Sequence, residues 1–81
     1  MSVVSKDTQE VADRIRVARK TKKVTQLELA AAIGVDRSLL AKMELGQMQF
    51  TVGRVLAITE FLNIHPASLF PDDNITEGKN G

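Results

Sequence analysis

Eighty-one residues, 26% of them charged and 43% hydrophobic, allow one small domain and leave no room for a second, catalytic one. The absence of Cys excludes a disulfide framework and cysteine-based zinc sites, and a single histidine, His65, cannot assemble a typical zinc site or a recognised nucleophile motif. The formal net charge of +1 hides an uneven spread: residues 1–46 carry nine Lys and Arg against six Asp and Glu, a surplus of three, whereas residues 47–81 carry two against four.

No apolar run approaches the roughly 20 residues of a membrane span, and the amino terminus lacks the charged-then-apolar order of a signal peptide. A soluble, cytoplasmic protein without membrane contact is expected, and nothing in the composition calls for a cofactor or a metal.

Helical periodicity dominates the chain. Val11, Ile15 and Ala18 recur at i, i+4 and i+7, with Asp7 and Glu10 as candidate caps, which predicts a first helix from about Thr8 to Lys22. Thr25-Gln26-Leu27-Glu28 has the spacing of a capping box, so a second helix starts there and turns Leu29, Ala30 and Ile33 inward. Gly34 can end that helix with positive φ, and Asp36 two residues later can cap a third. A turn of three to four residues containing Gly between two helices is the spacing of a helix-turn-helix.

On the third helix, Arg37, Ser38, Ala41, Lys42 and Leu45 fall on one side and Leu39, Leu40 and Met43 towards the other. Arg37 and Lys42 are either ordinary solvated charges or side chains that reach base edges and phosphates in a major groove. Arg can bind guanine O6 and N7 together, Ser38 can bond to a base or phosphate, and Ala41 is small enough for close approach. Leu39 lies at the edge of this face, where it either joins the core, the preferred assignment, or meets a thymine methyl.

Phe50 and Thr51 lead into a fourth helix from about Val52 to Leu62, with Val55, Ile58 and Leu62 on one face and Asn63 as a left-handed cap. His65-Pro66 opens a short fifth helix ending near Phe70, with His65 as a surface helix-start residue. Pro71 stops it. Residues 1–70 are therefore the domain, and 71–81, with Ile75 as the one large apolar residue, are expected to form a disordered tail.

Thr25-Gln26-Leu27-Glu28-Leu29-Ala30, Ile33-Gly34-Val35, Arg37-Ser38, Glu44 and Gly46 together resemble the lambdoid-repressor (Cro and cI-like, XRE-type) helix-turn-helix family, which includes restriction-modification controller proteins and several antitoxins. The resemblance covers about residues 8–70 and implies an all-α, five-helix, lambda-repressor-like DNA-binding domain. It implies that the third helix lies in the major groove with Arg37, Ser38 and Lys42 at base-reading positions. Gln26 would contact a phosphate and support the reader, and Thr25 and Asp36 would stand at helix caps beside the DNA. Arg19 and Glu44 match positions that form a partly buried salt bridge in some relatives.

Leu45-Gly46-Gln47-Met48-Gln49-Phe50 departs from the family by lacking the basic residues and Pro that many relatives carry after the third helix. Gln47 and backbone amides are left to hold the DNA backbone there, which makes dimerisation more necessary. Phe61, with Ile64 and Phe70, either fills the small core or forms an apolar patch for a second copy. A homodimer through that patch would set two readers about one DNA turn apart, near 34 Å, on a palindromic or near-palindromic operator.

The expected function is that of a bacterial or phage-encoded transcription regulator on double-stranded DNA. Such a regulator would block RNA polymerase or contact it as a protein partner; the alternative is a protein-binding module, such as an antitoxin with autoregulatory DNA binding, whose partner is a toxin. An enzyme is not expected, since no glycine-rich phosphate loop or metal-ligand cluster occurs.

Overall fold

Local capping chemistry sets the element boundaries of the computed structural model, which describes residues 6–70. α1 spans Lys6–Thr21, α2 Gln26–Ile33, α3 Arg37–Glu44 and α4 Val52–Leu62, and a 3-10 turn covers Pro66–Leu69. No strand occurs among the described residues. None of the helices there is long and apolar enough to cross a membrane.

At α2 the capping box is complete: the Thr25 hydroxyl accepts from the Glu28 amide at 3.0 Å and the Glu28 carboxylate accepts from the Thr25 amide at 2.9 Å. Gly34, at φ 79°, ends α2 by turning its own amide back to the Ala30 and Ala31 carbonyls. Asp36 is extended and accepts from the Leu39 amide at 2.8 Å, which starts α3 only three residues after α2 has ended. Thr51 caps α4 in the same way and Asn63, at φ 59°, closes it. α1 ends through Lys23, which is also left-handed at φ 61°.

The apolar stripes meet in one cluster of Val11, Ile15, Leu29, Ala30, Leu40, Val55, Ile58, Leu62 and Leu69, with Ile33, Phe50 and Ile64 packed on it. Each fully buried Leu or Ile there contributes roughly 1.5–3 kcal/mol relative to exposure. α2 packs on both α3 and α4, and α1 packs on α3, α4 and the 3-10 turn, so α3 keeps one side towards solvent. Arg14 fastens the segment after α4, its Nη1 donating to the Phe70 carbonyl at 3.1 Å and to that of Ser68 at 3.5 Å.

Three expectations change. The fifth helix is a single 3-10 turn, held by i to i−3 bonds from Ser68 to the His65 carbonyl and from Phe70 to that of Ala67. Pro71, which has no amide hydrogen, keeps the turn from propagating past Phe70. α1 begins at Lys6, ahead of Thr8, so Asp7 stands inside the helix and not at its cap, and Lys22 belongs to the closing turn. Leu39, in the first turn of α3, is half-buried and lies outside the core cluster. The tail expected over 71–81 lies outside the described residues.

Candidate nucleic-acid interface

α3 divides as its amphipathic pattern requires. Leu40, Met43 and Glu44 are buried, while Arg37, Ser38, Lys42 and Leu45 are exposed and Ala41 is half-buried. Glu44 is the one charged residue turned inward from this helix, and Arg19 of α1 meets it. Arg19 Nε donates to Glu44 Oε2 at 2.7 Å and Nη2 to Oε1 at 3.0 Å, a two-point pairing between side chains 9% and 2% exposed. The remaining Arg19 nitrogen, Nη1, donates to the Val24 carbonyl at 2.9 Å, so the buried guanidinium also anchors the loop before α2.

Gln26 extends the pair towards the surface. Its Nε2 donates to Glu44 Oε1 at 3.0 Å, and its Oε1 accepts from Arg37 Nη1 at 3.3 Å. The carboxylate can only accept and the guanidinium can only donate, which fixes the orientation of the amide between them. A continuous chain thus runs from the Val24 carbonyl through Arg19, Glu44 and Gln26 to Arg37, the first residue of α3. It holds an exposed arginine in place through a buried one, and the second Gln26 amide hydrogen is left for an acceptor outside the protein.

Two further side chains brace the far end of α3. Arg16 Nη1 donates to the Glu44 carbonyl at 2.9 Å while its Nη2 pairs with Asp13 at 3.0 Å, and Gln9 Nε2 donates to the Leu45 carbonyl at 3.0 Å. Gly46 follows at φ 79°, with the Gln9 amide packed where a Cβ would stand. Sequence reasoning missed Gln9, Arg14 and Arg16. Their partners are backbone carbonyls at loop ends, which carry no residue-type signal.

The predicted residues are therefore brought together unevenly. Gln26, Asp36, Arg37, Ser38, Ala41 and Lys42 lie on α3 or at the facing end of α2, and Gln47 is exposed just beyond α3. Asp36 has one carboxylate oxygen committed to its cap. The three candidate interface residues separate: Phe61 lies beside Ala32 and Ala57 on one flank of α4, whereas Phe70 gathers with Phe50, Val52, Leu56 and Pro66 on the other. Ile64 packs on the core between them and α1.

Comparison with known proteins agrees with this geometry. Residues 8–69 match the family described as Helix-turn-helix. A curated HTH-type transcriptional regulator of Sinorhizobium fredii is 35% identical over 72 residues, 85% of this chain and 50% of the relative, so the chain spans half that protein's length. The restriction-modification controller protein C.AhdI of Aeromonas hydrophila superposes with a TM-score of 0.72 at 32% identity, over 78% of this chain and 96% of the controller. The P22 c2 repressor, solved with a synthetic operator, superposes with a TM-score of 0.68 at 28% identity, again over 78% and 96% of the two chains.

Proposed function

The chain belongs to the helix-turn-helix family of DNA-binding transcription regulators, and on that premise we propose that it binds a palindromic or near-palindromic operator as a homodimer, with α3 of each copy in the major groove. The observation that carries the reading is the linked chain Arg19–Glu44–Gln26–Arg37, which positions one exposed arginine at the start of a helix whose outer face is otherwise free. Preorganising a long cation before binding lowers the ordering cost of the contact, which suits a bidentate grip on guanine. Ser38 and Lys42 continue the reading face, Ala41 lets the helix approach, and Gln26 and Gln47 hold phosphates. Asp36 acts there as the cap that sets where α3 begins.

The second copy docks on the apolar flank of α4 formed by Val52, Leu56 and Phe70, which are 75%, 50% and 38% exposed. Of the residues first considered, Phe70 belongs to this surface, Ile64 supports it from the core side, and Phe61 lies off it. The same flank is the feature that would favour a toxin or RNA polymerase as partner. The protein acts in the cytoplasm, with occupancy set by its own concentration.

Selection from a random double-stranded DNA library tests the proposal. A two-fold symmetric motif is expected, and Arg37→Ala should relax preference at one position per half-site, losing about 1–3 kcal/mol of discrimination. Weak, sequence-blind binding by the wild type would sink the regulator reading and direct attention to a protein partner.

A further inference from the structure

The basic side chains fall into two sets. Arg14, Arg16 and Arg19 of α1 are spent on carbonyls and carboxylates within the fold. Lys20, Lys22 and Lys23, at the end of the same helix, are exposed and have no ion-pair partner among the described residues. Exposed lysines alone are unremarkable, but the backbone singles out Lys23.

Four described residues have positive φ: Gly34, Gly46, Asn63 and Lys23. The first two have no Cβ, and Asn tolerates the left-handed region through its short polar side chain. Lys23 has neither advantage, yet it must adopt φ 61° for α1 to close, since the turn is made by the Lys22 amide on the Ala18 carbonyl, Lys23 on Lys20 and Val24 on Arg19. Among the described residues its side chain makes no hydrogen bond or ion pair that would compensate for that conformation. Strain of this kind tends to persist where the residue serves something other than the fold.

Lys23 also has a telling address. It lies two residues ahead of Thr25, the cap of α2, and three ahead of Gln26, which holds Arg37. The Val24 carbonyl that follows it accepts from Arg19, so the lysine stands on a fixed piece of backbone leading into α2.

We propose that Lys23 is a phosphate clamp: its ammonium contacts the DNA backbone flanking the segment read by α3, and the left-handed lysine is kept at the expense of fold stability. The proposal rests on the DNA-binding reading above. A compact, rotatable ammonium suits a phosphate oxygen as a point charge and carries no base preference, so Lys23 supplies affinity and register while Arg37 supplies sequence.

The test pairs the melting temperature of the free protein with DNA binding over a series of salt concentrations, for the wild type, Lys23→Gly and Lys23→Arg. Lys23→Gly should melt roughly 3–6 °C higher, because glycine adopts the left-handed region freely. It should bind the selected operator and a scrambled duplex more weakly by the same factor, about five-fold per protomer near 0.15 M salt, with the log–log salt slope reduced by about 0.9 per protomer. Lys23→Arg should keep the wild-type slope. An unchanged slope in Lys23→Gly, or a lower melting temperature for it, would overturn the clamp while leaving the regulator reading intact. A wild type that binds no DNA at any salt would instead overturn the reading on which the clamp depends, and the clamp with it.

Discussion

Glu44 accepts three hydrogen bonds, two from Arg19 and one from Gln26, while its side chain is only 2% exposed. Removing it leaves a buried guanidinium with no counter-charge, so Glu44→Ala should lower stability by about 3–5 kcal/mol in a denaturant titration. The neighbouring pair Arg16–Asp13 gives the contrast: with side chains 34% and 56% exposed, it is worth at most about 1 kcal/mol, and Asp13→Ala should stay within that. A Glu44→Ala chain that unfolds like the wild type would mean the inward pair is dispensable. The Arg19–Glu44 partnership was legible through the family resemblance, because those positions pair in some relatives. The carbonyl contacts of Gln9, Arg14 and Arg16 were not, since every residue offers a carbonyl and only the assembled fold decides which one is left unpaired.

The helices that position the reader are specified by short-range chemistry, which is why α2, its turn and α3 could be placed from sequence. Thr25, Glu28, Gly34 and Asp36 each act within four residues of themselves, and the hydrogen bonds they make are the ones their spacing implies. The segment after α4 lacked such a signal: Pro66 marks a helix start but nothing in Ala67-Ser68-Leu69 tells an α-turn from a 3-10 turn. Asp36 makes the element-scale argument testable. Asp36→Ala removes the acceptor for the Leu39 amide and should cost about 1 kcal/mol, a fall of roughly 4–8 °C in melting temperature. Because the cap fixes the start of α3, operator affinity should fall together with stability. Asp36→Ser keeps a capping oxygen and should restore both. Failure of Ser to restore affinity while it restores stability would give the carboxylate a direct role at the DNA.

At the scale of the whole molecule, the inner faces of the helices close one core and leave two surfaces with different chemistry. One is the outer face of α3 with the exposed Arg37 and Lys42; the other is the apolar flank of α4 around Leu56. The charge surplus of the first half of the sequence hinted at the first surface but overstated it, since three of those arginines are engaged by acceptors within the fold. The sequence reading sets a candidate interface at Phe61, Ile64 and Phe70, and helix geometry parts the first of these from the last. Val52 and Leu56 are one turn apart on the side of α4 towards Phe70, and Phe61 projects on the side towards α2. Leu56→Glu should therefore abolish the proposed dimer in analytical ultracentrifugation while changing monomer stability by only about 0.5 kcal/mol, because Leu56 lies outside the core. Binding to a single half-site should be unaffected. Binding to the full operator should lose its cooperativity, since two readers no longer share one body and the second binding event is no longer intramolecular. If Leu56→Glu remains dimeric and Phe61→Glu does not, the interface lies on the opposite flank of α4. The spacing of half-sites in the selected operator would then have to match that arrangement of the two readers.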